Sequence, residues 1–536
     1  MSIDVRAPAA TGSDPAPPPC AHRPSARLKA LAAVLPASLA LVMGLWGIRR
    51  QNTMWGDEAV TYQLAQREPS QIWHTVQHVD LVHALHYAVM HVIFDLFGAG
   101  LLSLRLPSVL AMAAAASGVG LLGLRLAGPR AGLLAGLVFA LLPQVQKYAQ
   151  EGRSYALVCA LIAWASCALV ANVSRRGRWR WAAYGLTMLL ACLLHEFAVL
   201  ALAAHGVTLI VSRTPKRVLR AWGVTAAGVV IGLLPLVVVS AGQSEQVSWI
   251  GGPVRPYPLL VAVVVGILCA RAPLRSRGPV SAAALAVPIL VLPGALLLTA
   301  SLIKPIFVDR YVLFSDIGIA VLLGVWLDHV CRLPRYIPTV SIAAVAALAA
   351  LVPSSLSLRT PQSRSNDATA IGAAVLEQGR PGDGLVYLAG RHRILAATYP
   401  GDTLHLTDLA LAQGPVESNT LAGVELPARD IAARMMQFHR IVTVRVARAG
   451  SLSDPQEKAK TDTLRHHFRE YATTRVNGAR ITVYVRDHGP TPKASTPVQH
   501  PWWKPVTRSC RDALSGREQC DEWAFTASAA RSPRSW

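Results

Sequence analysis

The stretch "VHALHYAVMHVIFDLFG", Val82–Gly98, is nearly long enough and apolar enough to pass for a membrane span, and the topology of the whole chain turns on it. It carries His83, His86, His91 and Asp95, an expensive set for a lipid-facing helix. Counting it as a span reverses the sidedness of every later loop. That would set the arginine-rich loops outside, against the preference of Lys and Arg for the cytoplasmic side. We read it instead as an amphipathic helix lying at the membrane interface. Residues 49–103 then form a long, structured first outer loop.

The rest of the chain supports a membrane reading. Its 536 residues are 52% hydrophobic and only 15% charged, with a mean hydropathy of +0.37; soluble domains carry about 25% charged residues. The apolar residues gather in runs of roughly 17–25, the length of a membrane-crossing helix. The runs fall at 28–48, 104–125, 131–147, 154–172, 181–194, 196–212, 220–240, 257–273, 279–300, 311–331 and 337–353, about eleven helices, with 131–147 and 181–194 short for a crossing. Every second loop is basic: Arg125 and Arg130, then Arg175, Arg176, Arg178 and Arg180, then Arg213, Lys216, Arg217 and Arg220, then Arg271, Arg275 and Arg277, then Arg332 and Arg335. Those loops read as cytoplasmic, with the N-terminus inside and the C-terminus outside. Arg49 and Arg50, at the first exit, are exceptions. The net charge of +22 is thus a topology signal, and no nucleic-acid partner is expected.

The ends are different in kind. Residues 1–27, rich in Ala and Pro, read as a disordered cytoplasmic tail; a cleaved signal peptide is the alternative, though no convincing cleavage site is present. After about 353 the apolar runs give way to short mixed segments. "GLVYLA" (384–389), "RIVTVRVA" (440–447) and "ARITVYVRD" (479–487) have strand length, and "NDATAIGAAVLEQG" (366–379) has helical periodicity ending at Gly379. Residues 354–488 are expected to form a small extracytoplasmic α/β domain, and 489–536 a disordered tail. Cys159, Cys167, Cys192, Cys269 and Cys331 lie in or beside spans as packing residues. Cys510 and Cys520 are placed where a disulfide is permitted, and their pairing is left open.

The outer face collects charge from several loops: "WGDEAVTYQLA" with Asp57 and Glu58, then Asp80 and His83, "YAQEGRSY" (148–155), "HEF" (195–197) and "KPIFVDRY" (304–311). Ionisable groups near the bilayer default to functional candidates, yet each has a plainer reading. Asp57 suits the N-cap of a helix starting at Glu58. Adjacent helical residues point about 100° apart, so Asp57 and Glu58 cannot both face one atom. One would do chemistry and the other would bind a metal or hold structure. Arg153 opens a helix, where a cation opposes the dipole; a phosphate there, or an ion pair with Glu151 or Glu196, relieves it. Lys304 and Arg310 are lipid-headgroup anchors or ligands. The histidines of the interfacial helix read as solvated polar-face groups, with ligand-like spacing only at His74/His78 and His83/His86.

Five of these motifs, "WGDEAVTYQLA", "DLVHALHYAVMHVIFDLFG", "RLPSVLA", "YAQEGRSYAL" and "KPIFVDRYVLF", occur in the order seen in bacterial members of the GT-C glycosyltransferase superfamily. The chain resembles most the actinobacterial polyprenyl-phosphate-mannose-dependent mannosyltransferases, relatives of the protein O-mannosyltransferases and lipid A aminoarabinose transferases. The resemblance covers about 28–353. It implies a GT-C-like catalytic membrane domain with Asp57 as the catalytic base. Glu58, Asp80 and Glu151 match acidic positions that shape the site or a metal. His83 and Tyr87 fit the pattern D-x-x-H-x-L-Y-Y, in which His86 replaces the first Tyr. Arg153, Tyr155, Arg310 and Tyr311 match donor-site positions, and Lys304 stands beside them.

The activity so implied is transfer of a sugar, with mannose favoured, from a polyprenyl-phosphate donor to a protein, glycan or lipid hydroxyl on the outer face of the cell membrane, with inversion. No cofactor is required; a divalent metal is compatible with the acidic residues, but a lipid-phosphate leaving group does not demand one. A transporter or lipid flippase is the competing class, usually marked by internal repeats and helices broken at the midplane. No repeat is visible here, and the ionisable groups cluster on one face. A non-catalytic envelope scaffold would leave the outer acids without a role.

Overall fold

A computed structural model of the chain describes residues 25–175, 177–243, 264, 266, 278–396, 398–446 and 454–486. Most of the N-terminal tail, almost all of the span expected at 257–273, and the C-terminal tail with Cys510 and Cys520 lie outside the described residues.

Helix α1 (Ala26–Leu45) leads into the first outer loop, which holds α2 (Gly56–Leu64), α3 (Pro69–His78) and α4 (Ala84–Phe97). A helical bundle follows: α5 (Leu101–Leu126), α6 (Pro129–Leu141), α7 (Pro143–Ala149), α8 (Tyr155–Ser174), α9 (Arg178–Leu194), α10 (Leu200–Val211), α11 (Lys216–Gly242), α12 (Ala282–Ala300), α13 (Asp316–Cys331) and α14 (Ile337–Ser357). Among the described residues seven helices are long and apolar enough to cross a membrane, and Pro129–Leu141 and Glu196–Val211 are shorter apolar helices on two further expected spans. The run 131–147 is two helices, because Pro143 cannot continue α6 and begins α7 instead.

Small residues draw the bundle tight. A Cβ on Gly120 would meet the Ala32 carbonyl oxygen of α1, one on Gly132 the Gly120 carbonyl, and one on Gly324 the Ala135 backbone. In lipid, helices associate through such close backbone approach. The glycines therefore weld α1, α5, α6 and α13 into one frame.

Helix α4 corrects one expectation. Its polar face is not solvated: His86 and Tyr87 are buried, together with Met90 and Phe94, while Val92, Leu96 and Phe97 are exposed. His83 and His86 turn into the protein with Met90 and Phe94, while Asp95 stays exposed beside Val92, Leu96 and Phe97.

Beyond α14 come α15 (Ala368–Gln378), α16 (Arg393–Ala396), α17 (Ala428–Met435) and α18 (Pro455–His467). They accompany strands β1 (Gly384–Leu388), β2 (Thr407–Asp408), β3 (Leu411–Gln413), β4 (Val424–Glu425), β5 (Arg440–Val446), β6 (Phe468–Val476) and β7 (Ala479–Arg486). The main sheet has the order β2-β1-β5-β7-β6, parallel from β2 to β5 and antiparallel from β5 to β6. Gly379 ends α15, as the sequence predicts, and Asp367 caps its start. This α/β part shares a core with the first outer loop: Met54, Ala59, Met90 and Leu104 pack in one cluster with Ile371, Leu385 and Ile481.

Candidate active site

Helix α2 begins at Gly56, not Glu58, with Trp55 at the N-cap position and both acids in its first turn. The helical divergence of neighbours then sends the two carboxylates apart. Glu58 is wholly buried. It accepts from Arg105 Nε (2.7 Å) and Nη2 (2.8 Å), from Arg50 Nη2 (2.5 Å) and from the Gly152 N–H (3.1 Å). Burial pushes the Glu58 carboxyl up, but Arg105 and Arg50 together outweigh it and hold it at about 2. Glu58 thus ties α2 to α5 and to the α7–α8 turn.

Asp57 faces the other way. Its carboxylate, 30% exposed, pairs with Arg310 at 3.2 Å and makes no capping bond. The 3-10 turn Asp309–Ser315 presents Arg310, whose Nε donates to the Tyr155 hydroxyl at 3.1 Å. The guanidinium lies 5.7 Å from the ring centroids of Trp55, Tyr155 and Tyr311. An aromatic cage of this kind favours a planar cation.

A second ion pair lies behind the first. Arg153, on the turn that Glu58 anchors, sits 3.6 Å from Asp80 and donates to the Tyr87 hydroxyl at 3.0 Å; Tyr87 in turn donates to Asp80. The pairing expected with Glu151 or Glu196 does not occur. Asp80 has φ +59°, a left-handed conformation that Asp tolerates better than most residues. Burial raises its carboxyl, opposed by Arg153 and Tyr87. His83 contacts the Ser154 hydroxyl at 3.2 Å, and His195 stacks 4.6 Å from Tyr311. Burial and the Arg153 charge keep both rings neutral: His83 falls well below its ordinary value and His195 falls to about 3.

These groups line a cavity of about 670 Å³. Of the residues singled out in the sequence, Asp57, Asp80, His83, Arg153, Tyr155, Lys304, Arg310 and Tyr311 reach its wall. Three do not. Tyr87 stands behind Asp80. Glu58 is sealed in its arginine clamp. Glu151 is buried against Arg364 of the α/β part at 2.8 Å, although that N–H is not aligned for a hydrogen bond. Both of these acids are enclosed within the protein away from the cavity wall, and Glu58 takes the structural one of the two roles open to it.

The wall also contains His195, Glu196 and Phe197 of the "HEF" turn, which the sequence marked only as an outer-face group, and three residues it did not mark, Ser240 and Gln243 at the end of α11 and Leu421 from the α/β part. Glu196 accepts from the Ser240 hydroxyl at 2.8 Å. Gln243 accepts from the Leu81 N–H (3.1 Å) and donates to the Val76 and Gln77 carbonyls (2.9 and 3.0 Å). The position of "HEF" between two apolar runs was a signal for the first three; nothing in the sequence marks Leu421.

The cavity balances three carboxylates, Asp57, Asp80 and Glu196, against three cations, Arg153, Arg310 and Lys304. A partly exposed carboxylate beside a caged guanidinium is equipped to take a proton at one atom while an anion forms at the next. The donor set does not fit a resident metal. Asp57 and Asp80 each pair with an arginine, and among the described residues no group of three or more His, Cys, Asp or Glu converges on one point.

No family model matches the sequence, and no curated protein matches it. Solved structures do. ArnT from Cupriavidus metallidurans in the apo state superposes with a TM-score of 0.54 at 13% identity, over 84% of this chain and 97% of that one. The same protein bound to undecaprenyl phosphate gives 0.55 at 14% identity, with the same coverage. At such identity the likeness speaks for architecture: the chain is an α-helical polytopic protein with the GT-C-like fold and a C-terminal α/β region.

Proposed function

We propose that this protein is a multi-pass membrane glycosyltransferase that moves a sugar from a polyprenyl-phosphate donor to an acceptor hydroxyl. The observation that carries the reading is the Asp57–Arg310 pair, open to a cavity beside the bilayer. The acceptor hydroxyl attacks the anomeric carbon and Asp57 takes its proton, an effect on the order of 10²–10⁴-fold. The bond from that carbon to the phosphate oxygen breaks, and the electron pair leaves with the lipid phosphate. Arg310, with Arg153 and Lys304 nearby, meets the growing negative charge through charge-assisted hydrogen bonds. A single displacement inverts the anomeric carbon. The fold shared with a protein crystallised on undecaprenyl phosphate supports a lipid-phosphate donor.

The finer parts of the proposal rest on sequence. Mannose is favoured by the motif resemblance. The basic loops set the N-terminus in the cytoplasm, with the cavity and α/β part outside. The test is mannose transfer from polyprenyl-phosphate mannose in membranes holding wild type or Asp57→Asn at equal abundance. Loss of transfer in the variant alone is expected. Equal transfer in both would remove Asp57 from the mechanism.

A further inference from the structure

The end of the bundle opposite the cavity contains a second concavity. Helices α9 and α11 run parallel. Each finishes at the cavity, α9 just before His195 and α11 at Ser240 and Gln243. Each starts at the far end. Arg178 opens α9, seventeen residues before His195 and so about 25 Å away along the axis. Arg220 lies in the second turn of α11.

Between the two helices a trough of about 570 Å³ opens outward. It is floored by stripes spaced i, i+3, i+4 and i+7: Arg178, Trp181, Ala182 and Gly185 on α9, and Ala221, Val224, Thr225 and Gly228, next to Arg220, on α11. Apart from the two arginines and Thr225, its lining is apolar. Both arginines are exposed, and Trp179 beside them is 70% exposed, at a depth where tryptophan marks a membrane interface. The charge there is one-sided. From residue 152 to 243 the only acid is Glu196, at the other end of the bundle, against eight Arg and Lys between 175 and 220 plus Arg153. Among the described residues no carboxylate pairs with Arg178 or Arg220.

We propose that this trough is a binding site for an anionic bilayer phospholipid, its phosphate between Arg178 and Arg220 and one acyl chain along the α9–α11 stripe. The charge selects the head and the small apolar floor accepts the tail; basic pockets between helices at a membrane face recognise anionic headgroups in this way. The site is separate from the cavity and does not depend on the transfer chemistry proposed there.

The test uses the full chain, purified in detergent and stripped of lipid. Its unfolding temperature is titrated with short-chain phosphatidylglycerol or phosphatidylcholine. Phosphatidylglycerol should stabilise wild type more strongly. Arg178→Gln/Arg220→Gln should move the phosphatidylglycerol titration to roughly 30-fold higher lipid concentration while unfolding like wild type in phosphatidylcholine. Gly228→Phe, built where an added side chain meets open space, should block the chain's seat and lower the response with both arginines present. Equal responses to the two lipids would overturn the site. So would an unchanged response in the double variant, or full reproduction of the effect by glycerol phosphate without a chain.

Discussion

Asp57 and Glu58 are neighbours in one helical turn, and the structure gives their substitutions opposite signatures. Glu58→Gln leaves Arg50 and Arg105 buried without a counter-ion, and removing one partner of a buried ion pair costs about 3–5 kcal/mol. The two arginines also hold the carboxyl at about 2, below its ordinary value of 4.5, which agrees in direction. Because the folded value is depressed, that contribution is complete above pH 4.5 and is lost as the pH falls toward 2. Asp57→Asn removes a carboxylate that is 30% exposed and whose ion pair contributes about 0–1 kcal/mol. The assay pairs thermal unfolding in detergent with sugar transfer in membranes. Glu58→Gln should lower the midpoint by about 3–4 °C and lose the pH dependence between 4.5 and 2. Asp57→Asn should unfold like wild type and lose roughly 10²–10⁴-fold in transfer. A stable Glu58→Gln protein would refute the clamp, and an Asp57→Asn protein that unfolds early would return Asp57 to a structural role.

Three further outcomes follow from the same geometry. Arg310→Gln should cost on the order of 10²–10³-fold in transfer, and Arg310→Lys should recover only part of it, because an ammonium does not match the ring cage; full recovery by Lys would argue against the planar contact. Asn366 Oδ1 accepts the Gly56 N–H at 2.7 Å and so steadies the turn that carries Asp57. Asn366→Ala should lower kcat at unchanged donor KM and destabilise by about 1 kcal/mol, whereas Asn366→Asp, which keeps the acceptor, should restore the rate. Finally, His195 is neutral across the working range because burial and the Arg153 and Arg310 charges hold it at about 3. The rate profile from pH 5.5 to 8 should therefore have the same shape in wild type and His195→Gln; an inflection near 6.5 present only in wild type would contradict this.

How much could be read beforehand depended on whether the cause was local. Lipid imposes span length and hydropathy on the chain, so the bundle was legible. Strands β5 and β7 showed through their alternation, and β1 through its strand-length apolar run. Strand β6, "FREYATTRV", did not, because it is a mostly exposed edge strand whose register shifts between Glu470 and Ala472. Helix geometry alone said that Asp57 and Glu58 must part. What Glu58 does instead required Arg105, 47 residues away, and Arg50. The clamp also accounts for Arg50 standing against the charge rule at the first exit, since it is buried beside Glu58. Arg364 on Glu151 and Leu421 in the cavity wall come from beyond residue 353, and contacts at such separation leave no pattern along the chain.

The two sides of the cavity are not held alike. The apolar stretch of α5, part of the glycine-welded frame that backs Asp57 and Arg153, is 72% buried, whereas that of α11 is 11% buried. Along its length α11 lies against the bundle like a panel, and at its outer end Gln243 latches it to the first loop by three hydrogen bonds. Each bond contributes about 1 kcal/mol, and Ser240 adds a further tie from α11 to Glu196. For the transfer we propose, the donor's isoprenoid tail would enter sideways from the bilayer along the α11 side, while the acid and the arginines on the welded side keep their spacing.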